Sequence, residues 1–194
     1  MASTSLEDLT PDTRQMAERL IVMAEDSGLV VRVASTLRSC TEQDALYAQG
    51  RTAPGNKVTK APGCRSWHVY GRALDLFIVD DDGDDVPISD PRYDVLGEMG
   101  EKLGFVWGGV FDDPIHFEYH PGIRIEELCP EPGECEMAVA RFGAHGNYYM
   151  PEDVAQDTAE QAADIRFGDV ILSAFVGAVV FQTVAMAVRS MRNR

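Results

Sequence analysis

Ser66-Trp67-His68-Val69-Tyr70-Gly71-Arg72-Ala73-Leu74-Asp75-Leu76-Phe77-Ile78-Val79 is the stretch from which the rest of the chain is read. Its second half, Ala73 to Val79, carries the apolar and β-branched residues of a strand. Successive strand side chains alternate faces, so Asp75 points into a cleft while Leu74 and Leu76 point into the core. Gly71 and Ala73 are small enough for the backbone to bring His68 near Asp75, and Ser66 is placed to hydrogen-bond the loop or the imidazole. A second imidazole, His116, follows in Asp113-Pro114-Ile115-His116-Phe117-Glu118.

Two histidines, one aspartate and a spare carboxylate are the parts of a catalytic zinc site. Zinc in such sites takes three protein ligands and leaves its fourth position to water, and a nearby carboxylate takes the water's proton. A single His and a single Asp more often never meet; the second segment changes that weighing. Asp113 precedes His116 by three residues with a rigid proline between them, which puts His116 on the metal and Asp113 over the water. Asp112 and Glu118 are rival bases, and Glu118, on the strand face of His116, is alternatively a group that orients a metal ligand. His120 reads as structural or solvent-facing, and His145 as a loop residue.

Outward from this site the elements mix in an α+β manner. Thr10-Pro11 opens a helix that Gly28 closes, and Leu29 to Ala34 reads as a strand. Thr41-Glu42-Gln43-Asp44 has the form of a capping box for a short helix through Tyr47. Gly50 to Gly63 is a loop crossing one end of the sheet. The acidic run Asp80 to Asp85 reads as a solvated loop; its spacing lacks the terminal glutamate of a calcium-binding EF-hand. Asp90-Pro91 begins a helix ending at Gly104, and Phe105 to Trp107 and His116 to Tyr119 form two short strands joined through Gly108-Gly109. The expected architecture is a small antiparallel sheet flanked by helices around a zinc cleft, with a C-terminal hydrophobic helix beyond. We divide it as residues 1–125 (catalytic zinc domain), 126–168 (irregular linker and stalk helix) and 169–190 (transmembrane helix).

A hydrophobic fraction of 45% builds a core without a disulfide framework. The net charge of −15 excludes nucleic acid and anionic membrane faces as partners, since both want a basic patch that the first 150 residues do not show. The four cysteines allow two bridges or buried thiols: Cys129 and Cys135 flank a turn-rich stretch, and Cys40 nears Cys64 if Arg38 and His68 share a cleft. The N-terminus has no basic and apolar pattern of a signal peptide. Val170 to Val188 carries no charge and is followed by Arg189, Arg192 and Arg194, which reads as a membrane span with its C-terminus inside. The expected location is therefore a membrane, with the catalytic domain on the side opposite the arginines. A buried or oligomer-forming helix is the competing reading.

The ordered motifs resemble one family. Ser66-x-His68-x-x-Gly71-x-Ala73-x-Asp75 matches, at every fixed position, a motif of the zinc peptidoglycan peptidases. These comprise VanY-type D,D-carboxypeptidases and L-alanyl-D-glutamate endopeptidases, many of them phage endolysins. Leu37-Arg38-Ser39, Leu46 to Thr52, Val58 to Ala61, Leu103 to Gly109 and His116-Phe117-Glu118 are similar to the surrounding segments. The resemblance implies zinc held by His68, Asp75 and His116, with Asp113 as catalytic base. It implies Arg38 as a catalytic group that steadies the oxyanion or binds a substrate carboxylate, with Gln43 and Ser66 in the substrate-binding set. It implies bacterial peptidoglycan as partner and the L-Ala–D-Glu bond as target, and so sets the expected span in a host inner membrane or virion membrane with the peptidase domain facing the wall. D,D-carboxypeptidase activity on terminal D-Ala, or an inactive zinc-bound wall-recognition module, are the alternatives. Asp113 fits less closely than the ligands, because Pro-Ile stands before His116 where the family often has Pro in the second place.

Overall fold

The computed structural model describes residues 2–129. Residues 130–168 of the expected linker and stalk at 126–168, and the hydrophobic helix at 169–190, lie outside the described residues. Among the described residues no helix is long and apolar enough to cross a membrane.

The chain runs α1 (Pro11–Asp26), β1 (Val30–Ser35), α2 (Cys40–Ala48), β2 (Ala73–Val79), α3 (Arg92–Lys102), β3 (Val106–Trp107), β4 (His116–Glu118) and α4 (Ile125–Leu128). The four strands form one antiparallel sheet in the order β1-β2-β4-β3. It is α+β, with β2 central. Leu74, Leu76 and Ile78 are fully buried on one face of β2, and each such side chain contributes about 1.5–3 kcal/mol of burial. Asp75, Phe77 and Val79 face the other way and are only part-buried. Asp75 lies opposite His116 in the β2–β4 register, so the sheet itself brings the two segments together.

Two boundary features differ from expectation. The capping box belongs to Ser39 and Glu42, its cap two residues ahead of Thr41: the Ser39 hydroxyl accepts from Glu42 N–H and the Glu42 carboxylate accepts from Ser39 N–H. The Glu42 residue is shared by both readings, which is why the pattern misplaced the cap. Thr10 makes no side-chain cap; its hydroxyl bonds that of Thr13 at 2.7 Å instead.

Cys40 is disulfide-bonded, Cys64 and Cys129 are buried, and Cys135 lies outside the described residues. Cys64 and Cys129 share a cluster with Trp67, Tyr70 and Leu128, and Ile123 and Ile125 pack on it. Arg72, fully buried inside the motif, binds Asp12 at 2.9 Å and ties α1 to β2.

Candidate metal centre and active site

His68 sits on a short 3-10 turn, Trp67–Tyr70, that ends at Gly71 with a left-handed backbone (φ 68°). A Cβ there is strained, so glycine lets the chain reverse directly into β2 and carry His68 back over Asp75. Asp75 comes from β2 and His116 from β4. Their donor atoms make a closed triangle. His68 Nε2 is 3.2 Å from Asp75 Oδ1 and 3.2 Å from His116 Nδ1, and His116 Nδ1 is 2.9 Å from Asp75 Oδ1.

The outer nitrogens decide what that triangle is. His68 Nδ1 donates to the Thr36 carbonyl at 2.6 Å, which leaves a lone pair on Nε2. His116 Nε2 faces the Glu118 carboxylate at 2.9 Å, which likewise leaves Nδ1 as the inward lone pair. Two imidazole lone pairs and a carboxylate oxygen therefore converge, an arrangement that repels itself unless a cation joins them. Donors on a tetrahedral zinc at about 2.0–2.1 Å would stand roughly 3.3 Å apart, close to the observed spacing. The residues fit a divalent metal.

The proton equilibria say the same. Burial raises the Asp75 carboxyl, but the two imidazoles, His68 foremost, overcome it and hold Asp75 well below the usual carboxylate range. Burial pulls His116 down, yet the hydrogen bonds it donates to the Asp75 and Glu118 carboxylates push it up to about 10. A proton thus takes the place a metal would take, and metal binding must displace it. Glu118 is drawn down to about 2: burial opposes the shift, and its contacts with His116 and His120 prevail.

Around this centre the structure gathers most of the expected residues. The Arg38 guanidinium lies 3.6 Å from Asp75 Oδ2 and donates to Gln43 Oε1 at 2.7 Å and Ser35 Oγ at 3.0 Å. Gln43 is buried, and its amide donates to Thr59 Oγ1 and the Ala61 carbonyl, so it touches the site only through Arg38. Ser66 is buried, but the imidazole of His68 is fixed by the Thr36 carbonyl and not by the Ser66 hydroxyl. Asp113 is exposed, with no hydrogen bond or ion pair to its carboxylate among the described residues. Partial desolvation raises its pKa, assisted by the nearby Asp75 charge and opposed by His116, His68 and Arg38. Asp112 is exposed and adopts the left-handed turn (φ 68°) that ends the Gly108–Phe111 segment.

Sequence reasoning missed the Thr36 carbonyl and Ser35, because main-chain acceptors and a lone hydroxyl carry no motif. It also underrated His120. That ring stacks on Trp67 with centroids 4.1 Å apart and lies 3.4 Å from Glu118, closing a chain His120–Glu118–His116 behind the metal position.

The donor set fits a divalent metal, and comparisons with known proteins give the class of the chain. The M15 peptidase family model described as D-alanyl-D-alanine carboxypeptidase matches residues 59–119. The chain is 39% identical over 127 residues to peptidoglycan L-alanyl-D-glutamate endopeptidase CwlK of Bacillus subtilis (strain 168), covering 59% of this chain and 75% of that protein. The chain belongs to the M15 family of peptidases. Solved structures similar to it include vancomycin-resistance D,D-pentapeptidase VanY, as a variant in complex with Zn(II). It has a TM-score of 0.44 and 20% identity, covering 61% of this chain and 82% of VanY. The Serratia marcescens L-Ala D-Glu endopeptidase ChiX has a TM-score of 0.44 and 19% identity, covering 62% and 90%. The family assignment rests on the Bacillus relative and not on these likenesses.

Proposed function

We propose that this chain is a zinc-dependent peptidase that cuts the stem peptide of bacterial peptidoglycan between L-Ala and D-Glu. The observation that carries the reading is the inward convergence of His68 Nε2, His116 Nδ1 and Asp75 Oδ1, with both outer nitrogens already engaged. The similarity to an L-alanyl-D-glutamate endopeptidase supports the choice of bond. A specific observation favours a second reading, removal of terminal D-Ala: the matching family model is described as a D-alanyl-D-alanine carboxypeptidase.

When bound by these residues, zinc supplies Lewis acidity that acidifies a water and polarises a carbonyl. Asp113 accepts the water's proton and passes one to the leaving amine. Its raised pKa suits a carboxylate that must hold a proton between those steps. Arg38 offers its positive charge to the carbonyl oxygen as negative charge develops there. Gln43 and Ser35 keep that guanidinium oriented, so Gln43 serves as a positioning residue.

Asp113→Ala should keep stoichiometric zinc and lose about 10²–10⁴-fold in hydrolysis. Mass spectrometry of digested muropeptides checks this and the bond together. Release of stem peptides beginning at D-Glu supports the proposal; release of single alanines supports the second reading. Parental turnover by the Asp113 variant would remove it from the mechanism.

A further inference from the structure

Residues 45–74 contain five cations, Arg51, Lys57, Lys60, Arg65 and Arg72, and no Asp or Glu, in a chain whose net charge is −15. Five cations over that length are too sparse for a polyanion, yet they sit on the segment that leads into the metal centre. Two are already engaged. Arg72 is buried on Asp12, and Arg51 donates to the Tyr47 and Thr59 carbonyls while stacking over the Tyr47 ring at 3.9 Å.

Lys60 stands differently. It is exposed, and its Nζ donates at 3.2 Å to the Phe111 carbonyl, across from its own loop to the loop that carries Asp113. The Phe111 ring in turn lies 6.1 Å, centroid to centroid, from the His116 imidazole. Lys60 is also held in place from below. Gln43 binds Thr59 Oγ1 and the Ala61 carbonyl on either side of it, and Asp44 binds Gly63 N–H at 2.7 Å. A Gly- and Pro-rich loop is thereby fixed, and the ammonium is presented at the rim of the cleft on Asp113's side.

That side has a chemical meaning. Asp113 returns a proton to the leaving amine, so the residue bearing that amine lies beside the Asp113 loop. In a stem peptide this residue is D-Glu, joined onward through its side-chain carboxyl. Its α-carboxylate therefore stands on the same carbon as the leaving nitrogen, either as the free acid or amidated. We propose that Lys60 binds the free α-carboxylate of that D-glutamyl residue and makes the enzyme select stems whose D-Glu is not amidated. The inference rests on the L-Ala–D-Glu reading above. A carboxylate gains a charge-assisted hydrogen bond from the ammonium, whereas a carboxamide gains a weaker one.

The test uses the full chain loaded with zinc and two synthetic stem peptides, one with the D-Glu α-carboxyl free and one with it as the carboxamide. The parent enzyme should favour the free acid by about tenfold in kcat/KM, mostly through KM. Lys60→Met should bring the ratio of the two substrates close to one, and Lys60→Arg should restore most of it. Equal rates in the parent, or an equal loss on both substrates in Lys60→Met, would overturn the assignment and make Lys60 a loop clasp only. Release of D-Ala in place of cleavage before D-Glu would overturn the bond reading itself, and this inference with it.

Discussion

His116 is the residue on which the site turns, because its two nitrogens face opposite duties. Nδ1 looks inward to Asp75 and His68, and Nε2 is held from outside by Glu118. The direction of the metal-binding lone pair therefore depends on a residue that does not touch the metal position. Glu118→Gln keeps the shape but replaces the carboxylate with a group that need not accept from His116. Zinc affinity should fall about 10–100-fold, measured by competition with a chromogenic chelator; unchanged affinity would show that Asp75 alone orients the ring. That His68, Asp75 and His116 come together was legible from two segments read jointly and from the motif resemblance, since strand alternation alone leaves His68 and Asp75 free never to meet. The Thr36 carbonyl on His68 was not, since any residue in that position offers the same acceptor.

At the level of elements, the sheet register and one glycine set the distance between the Asp113 loop and His116. Gly108 opens the turn that links β3 to β4, and a Cβ there would fall 2.3 Å from the Asp113 carbonyl oxygen and 2.9 Å from His116 Cβ. Both obstacles are tied to the site, and one is backbone. Gly108→Ala should destabilise by about 1–3 kcal/mol, read as a lower urea midpoint, with a parallel loss of turnover. A parental midpoint would mean that the turn yields freely. The strands β1, β2 and β4 and the helices α1 and α3 were readable within a residue or two of their observed limits, since periodicity and Gly or Pro punctuation mark them. The start of α2 was not, because Ser39 and Thr41 both stand near Glu42 and only geometry chooses between them. Loop 49–63 was legible as a loop, but the side chains that pin it, Gln43 and Asp44, come from a helix whose inward face the pattern does not mark.

For the molecule as a whole, the buried charges make stability depend on pH and on metal together. Glu118, lowered from 4.5 to about 2, contributes stability that is complete above pH 4.5 and lost as pH falls toward 2. His116, raised from 6.5 to about 10, contributes stability that is complete below pH 6.5 and lost as pH rises toward 10. Chelator-treated protein should therefore have its highest Tm at about pH 4.5–6.5 and lose stability on the alkaline side. Saturating zinc should remove much of that alkaline loss, because the ion takes the proton's place between the same ligands. Thermal denaturation at about pH 5.5 and about pH 9, with zinc or with chelator, checks this. Equal Tm values for the chelated protein at both pH values would contradict it.

The central claim is that His68, Asp75 and His116 hold one divalent ion between them. Elemental analysis of the purified chain after reconstitution with zinc and removal of excess measures this directly, with Asp75→Ala alongside. The account predicts about one zinc per parent chain and almost none in the variant. No stoichiometric metal in the parent, or equal retention by the Asp75 variant, would contradict it.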